Sequence, residues 1–66
     1  MGYLVLSRRE GEQIRLTVAP GADPETLLKQ LLKDGITISV GEIAQRQVKI
    51  GIHAPKEVLV MRDELF

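Results

Sequence analysis

Apolar residues recur at every second position in three separate stretches of this chain, and a two-residue period is the signature of half-buried β-strands. Ile14, Leu16 and Val18 alternate with Gln13, Arg15 and Thr17; Ile36, Ile38 and Val40 with Thr37, Ser39 and Gly41; Val48, Ile50 and Ile52 with Lys49, Gly51 and His53. These stretches predict strands over about 13–18, 36–43 and 47–53. Two further β-rich runs, about 3–8 and 58–62, are bounded by the turn clusters Arg9-Glu10-Gly11-Glu12 and His53-Ala54-Pro55-Lys56-Glu57. The expected fold is mainly β, five strands with one short helix, spread over a single domain of residues 1–66.

The helix is announced by a change of period. Ala19-Pro20-Gly21-Ala22 breaks the second strand, Asp23 is suited to the N-cap, Pro24 to the first helical position, and Glu25 to the positive end of the dipole. Lys33 and Gly35 suit the exit, so the helix is expected over about 24–33, inserted between strands 2 and 3. Leu27 with Leu31 and Leu28 with Leu32 form an apolar stripe. A ten-residue helix does not hold by itself in water, so this stripe is expected to pack on the sheet or on a second subunit.

Composition sharpens the picture. A chain of 66 residues builds only a small core and usually needs a staple, yet it has no cysteine for disulfides and one histidine, too few soft ligands for a structural zinc. Oligomerisation is the remaining staple. Tyr3–Leu6 and Val58–Met61 are apolar on both faces, which places the terminal strands at a homodimer contact, the first strand of one chain beside the last strand of the other. Nine basic residues balance nine acidic ones, so any nucleic-acid contact arises from local charge segregation. With only Tyr3 and Phe66 aromatic, backbone groups and arginine are expected to dominate over stacking platforms. The apolar run before Arg8-Arg9 is the reverse of a secretory signal and too short to span a bilayer, which favours a cytoplasmic protein with no membrane partner. No metal constellation, nucleophile–base pair or phosphate-cradling glycine loop points to an enzyme, a cofactor or a small-molecule substrate.

Leu4-Val5-Leu6-Ser7-Arg8-Arg9-Glu10-Gly11-Glu12 and Val48 to Leu65, with Gly51-Ile52-His53-Ala54-Pro55-Lys56-Glu57-Val58 within it, resemble the opening and closing halves of the CsrA/RsmA carbon storage regulator family. These two segments together make up 27 of the 66 residues. Two departures stand out: the helix within Pro20 to Asp34 interrupts a direct strand-to-strand connection, and the family's usual C-terminal helix is missing. Together they resemble the RsmF/RsmN branch, in which the inserted helix accompanies a rearranged, interlocked (strand-exchanged) homodimer.

The resemblance implies a post-transcriptional regulator. It would bind GGA motifs in hairpin loops of mRNA leaders, block ribosome access, and be titrated by small regulatory RNA carrying several such motifs. The family's arginine at the end of the last strand falls on Arg62, facing Leu6, Ser7, Arg8 and Arg9 of the other subunit. Its base-reading turn falls on Ala54, Pro55, Lys56 and Val58, continued by Val60 and Met61, with outer phosphate contacts on Gln47 and Lys49. Met61 stands where many relatives have histidine, so no imidazole contact is implied there.

Taken without the resemblance, the same residues read more plainly: Arg62-Asp63-Glu64 as a solvated chain end, Arg8-Arg9 as a charged turn, and His53 as a strand-end residue bonded to backbone. The competing functional class is a swapped-hairpin β dimer that binds DNA as a transcriptional regulator or antitoxin. That class reads the major groove from basic strand faces, whereas the basic residues here sit mainly at strand ends and turns. A non-catalytic protein-interaction subunit is the third class.

Overall fold

The computed structural model describes residues 2–62, so the chain-end residues expected to form no helix of their own lie outside the described region. Five strands and one helix follow in the order β1 (Gly2–Arg9), β2 (Ile14–Val18), α1 (Pro24–Lys33), β3 (Thr37–Ala44), β4 (Gln47–Ala54) and β5 (Val58–Arg62). Their bounds agree with the period-two reading to within one or two residues, the ordinary scatter of strand ends.

Antiparallel pairing builds a three-stranded sheet in the order β1-β4-β3 and a two-stranded sheet of β2 with β5. Residues directly opposite in an antiparallel pair share a face. Leu4 opposes Ile52, Leu6 opposes Ile50, and Ile38 and Val40 oppose the same two residues from the other side. These form the inner face of the larger sheet. The second sheet covers only part of it: Ile14, Leu16, Val58 and Val60 pack against a core of Leu6, Ile52 and Ala54.

Between Val40 and Ile43 the register slips by one residue, because Val40 opposes Ile50 while Ile43 opposes Val48. Strict alternation would send Ile43 to the outer face. The bulge at Gly41-Glu42 returns it to the inner one, and the glycine there allows the close approach of β4, since a Cβ would lie 3.4 Å from the Lys49 carbonyl oxygen. The hairpin from β3 to β4 turns on Gln45 and Arg46, with φ of 52° and 63°. Two consecutive left-handed residues match the twist of a two-residue hairpin turn, normally the place of Asn-Gly.

The helix begins and ends as its sequence dictates. Asp23 stands at the N-cap and Pro24 follows; the Asp23 carboxylate accepts from the Thr26 hydroxyl at 2.8 Å, and this bond above all holds its pKa below the usual carboxylate range. At the exit the amides of Asp34 and Gly35 both donate to the Gln30 carbonyl, with Gly35 at φ 68°. The expectation that the sheet buries the leucine stripe is not met within one chain. No residue of α1 is buried, and Leu28, Leu31 and Leu32 are exposed, Leu32 to 78%.

Every residue of β3 is likewise exposed, including Ile38, Val40 and Ile43. The Cα radius of gyration is 13.0 Å, against about 11 Å for a compact domain of this length. A single chain is therefore a flat, two-piece sheet assembly with more apolar surface than its core can use.

Candidate nucleic-acid interface

The turn from β4 to β5 is rigid. Ala54, Pro55 and Glu57 are buried while Lys56 stands exposed between them. The Val58 amide donates to the Pro55 carbonyl at 3.0 Å, closing the turn, and the Glu57 carbonyl accepts from the Ala19 amide at 2.8 Å, tying it to the end of β2. Proline fixes one dihedral and burial fixes the rest, so this segment presents its remaining main-chain groups in one arrangement. From it β5 runs on through Val60 and Met61, both half-buried, to exposed Arg62 opposite Ile14.

A second cluster lies on β1 and the start of β4. Ser7 opposes Lys49 and Arg9 opposes Gln47, and these four face outward, away from Leu6. With its amide oxygen turned toward Arg9, Gln47 accepts from the guanidinium at 2.9 and 3.2 Å. The Arg9 amide donates to the Glu12 carboxylate at 2.7 Å and the Glu12 amide returns a bond to the Arg9 carbonyl at 3.0 Å, with Gly11 at φ 86° making the turn possible.

Arg8 differs from its neighbour. It lies on the inner side with Leu6 and is 8% exposed. Its Nε donates to the Ser7 carbonyl at 2.8 Å, a terminal nitrogen donates to the Gln13 carbonyl at 3.3 Å, and Glu12 lies 3.7 Å from Nε. Burial among these acceptors makes Arg8 a clamp on the β1–β2 turn, while the exposed cation of the pair is Arg9.

One chain does not bring the two clusters together. β1 pairs with β4 and β5 with β2, so Arg62 and the segment Leu6–Arg9 belong to different sheets. Among the described residues, β1 and β5 each keep one edge without a strand partner.

Residues 3–66 match the CsrA family, described as a global regulator protein family. The chain belongs to the CsrA family. That is a family of regulators rather than of enzymes. The chain is also similar to the translational regulator CsrA of Thermotoga maritima, 38% identical over 63 residues that cover 96% of this chain and 57% of the relative. It thus spans little more than half the length of that relative.

Two basic residues that the sequence did not single out lie beside these clusters. Arg15 lies opposite Met61 on the β2–β5 pair, and Arg46 lines, with Arg9 and Gln47, a cleft floored by Ile43, Val48 and Ile50. No local signal marked either, since Gln45-Arg46 lacks the Asn-Gly pattern of such hairpin turns. Among the described residues there is no group of three or more His, Cys, Asp or Glu that could hold a metal ion, and no helix long and apolar enough to cross a membrane.

Proposed function

We propose that this CsrA-family chain is a homodimeric, post-transcriptional regulator that binds GGA motifs in hairpin loops of mRNA leaders and represses translation by blocking ribosome access. Small RNAs with several such motifs compete for the same sites. The whole chain acts as one RNA-binding domain in the cytoplasm, of the RsmF/RsmN kind, with α1 bracing the dimer.

The observation that carries this reading is that β1 and β5, the two terminal strands, each keep an open edge among the described residues, as β3 and β2 do at the other margins of their sheets. Joining the free edge of β1 to the free edge of β5 from a second copy extends the two-piece sheet into a continuous one and covers edges that otherwise invite aggregation. The same union sets Arg62 beside Leu6, Ser7 and Arg9 of the other subunit, next to the rigid Ala54-Pro55-Lys56 turn. Main-chain groups fixed in a strand edge and turn match the edges of splayed-out loop bases, which duplex RNA keeps out of reach. Arg62 adds a planar guanidinium fork for a phosphate or a guanine edge, and Arg9, Lys49 and Lys56 add phosphate contacts that weaken with salt. Arg8 contributes by holding the turn that carries Arg9. Twofold symmetry gives two such sites, so an RNA with two motifs gains from effective concentration.

Competition tests the reading. A labelled hairpin with GGA in its loop is displaced by unlabelled copies of itself, and neither a hairpin of altered loop nor duplex DNA displaces it. Preferential displacement by duplex DNA would favour the DNA-binding class instead.

A further inference from the structure

The outer face of the β1–β4 pair carries a feature the loop-reading site does not use. Tyr3 opposes His53 and Val5 opposes Gly51, with Ser7 and Lys49 next along the same face. The Tyr3 ring lies across Gly51 and meets His53 edge-on, ring centroids 6.0 Å apart at an interplanar angle of 78°. It is nonetheless 65% exposed, and Val5 beside it is 52% exposed.

A tyrosine that only shields a strand glycine is a known device of sheet packing. Here the ring also leaves a flat, open surface beside an exposed valine, and β1 and β4 carry no carboxylate along their length. Lys49 lies four residues from His53, roughly 13 Å along the strand. Glu42, on the neighbouring strand, lines a shallow cleft with Ser7 and that lysine.

The geometry points to a second RNA contact: Tyr3, with Val5 and His53 around it, stacks an unpaired base of single-stranded RNA flanking the bound hairpin, on the same face as Lys49, the outer phosphate contact of the loop-reading site. This rests on the RNA-binding reading above and extends it from the loop to its flank. A π-face accepts any base, so the contact adds affinity without adding sequence preference.

The test compares a blunt GGA hairpin with the same hairpin carrying an unpaired 5′ or 3′ tail that contains 2-aminopurine, on full-length wild type, Tyr3→Phe and Tyr3→Leu. One of the tails tightens binding by about fivefold or more, the low end for a single base–aromatic stack, and its 2-aminopurine emission is quenched. Tyr3→Phe keeps both effects, and Tyr3→Leu, which still covers Gly51, loses both while binding the blunt hairpin as before. Tails that add no affinity, or that act equally on Tyr3→Leu, overturn the proposal and leave the loop-reading site standing. Should the blunt hairpin itself fail to bind, the loop-reading account fails. The 2-aminopurine oligonucleotide alone, quenched by wild type but not by Tyr3→Leu, then decides the platform separately.

Discussion

Tyr3 and Gly51 compete for one position on the outer face of the sheet: the Tyr3 hydroxyl lies 2.6 Å from where a Cβ on residue 51 would stand. The atom in the way is the far end of an exposed side chain, so the conflict resolves by swinging the ring into solvent. Gly51→Ala therefore changes stability by less than about 1 kcal/mol, since a better strand residue offsets the displaced contact. Urea denaturation measures the first effect, and loss of the Tyr3–His53 aromatic proton contacts in NMR spectra the second.

Core size sets a second expectation. Leu6 is 3% exposed and belongs to a core of three buried apolar residues among those described. Leu6→Ala costs about 2 to 5 kcal/mol, comparable with all the stability that one core of this size supplies. Circular dichroism at 25 °C is expected to show a largely unfolded chain, while Ile52→Val remains folded with a lowered urea midpoint.

Adjacent arginines are expected to separate cleanly. Arg8→Ala removes the side-chain bonds to Ser7 and Gln13 and lowers stability by about 1 to 3 kcal/mol. Arg9→Ala touches an exposed side chain, changes stability by less than about 1 kcal/mol, and weakens RNA binding with a salt slope shallower by about one. Thermal melts and RNA titrations at several salt concentrations check both halves.

Much of this architecture was legible in the order of residues. Alternation from Ile14 to Val18 and from Val48 to Ile52 marked the strands, and Asp23-Pro24-Glu25 with Lys33 and Gly35 marked the helix. The apolar surplus in β1 and β5, visible as runs without alternation, leaves Tyr3, Leu4, Val5 and Leu59 exposed on the single chain. What stayed hidden depended on pairing at a distance. With both faces of β1 apolar, parity did not reveal that Leu6 turns inward and takes Arg8 with it; only the register against Ile50 and Val48 decides that. The bulge before Ile43 was equally silent, because Val40-Gly41-Glu42-Ile43 breaks a period of two without saying which strand absorbs the extra residue. Tyr3 and His53 lie fifty residues apart in sequence and meet only because β1 pairs with β4.

The β3–β4 hairpin holds Gln45 and Arg46 in left-handed backbone that side-chain residues adopt at a cost of about 1 to 2 kcal/mol each. Replacing them with Asn-Gly, the pair suited to such a turn, raises stability by about 1 to 2 kcal/mol, measured as an increased urea midpoint with an unchanged slope. A null or negative result would show that Arg46 makes good its backbone cost through contacts of its side chain.

Arg62, at the end of β5, is the residue proposed to face a base and a phosphate of the loop. Titration of wild type and Arg62→Ala against a labelled hairpin with GGA in its loop, beside one with the loop altered, tests that role. Wild type is expected to prefer the GGA loop by at least about tenfold, and Arg62→Ala to lose most of that preference while keeping its fold and dimer mass. Equal binding to both hairpins by wild type, or an Arg62→Ala protein that discriminates as well as wild type, would contradict it.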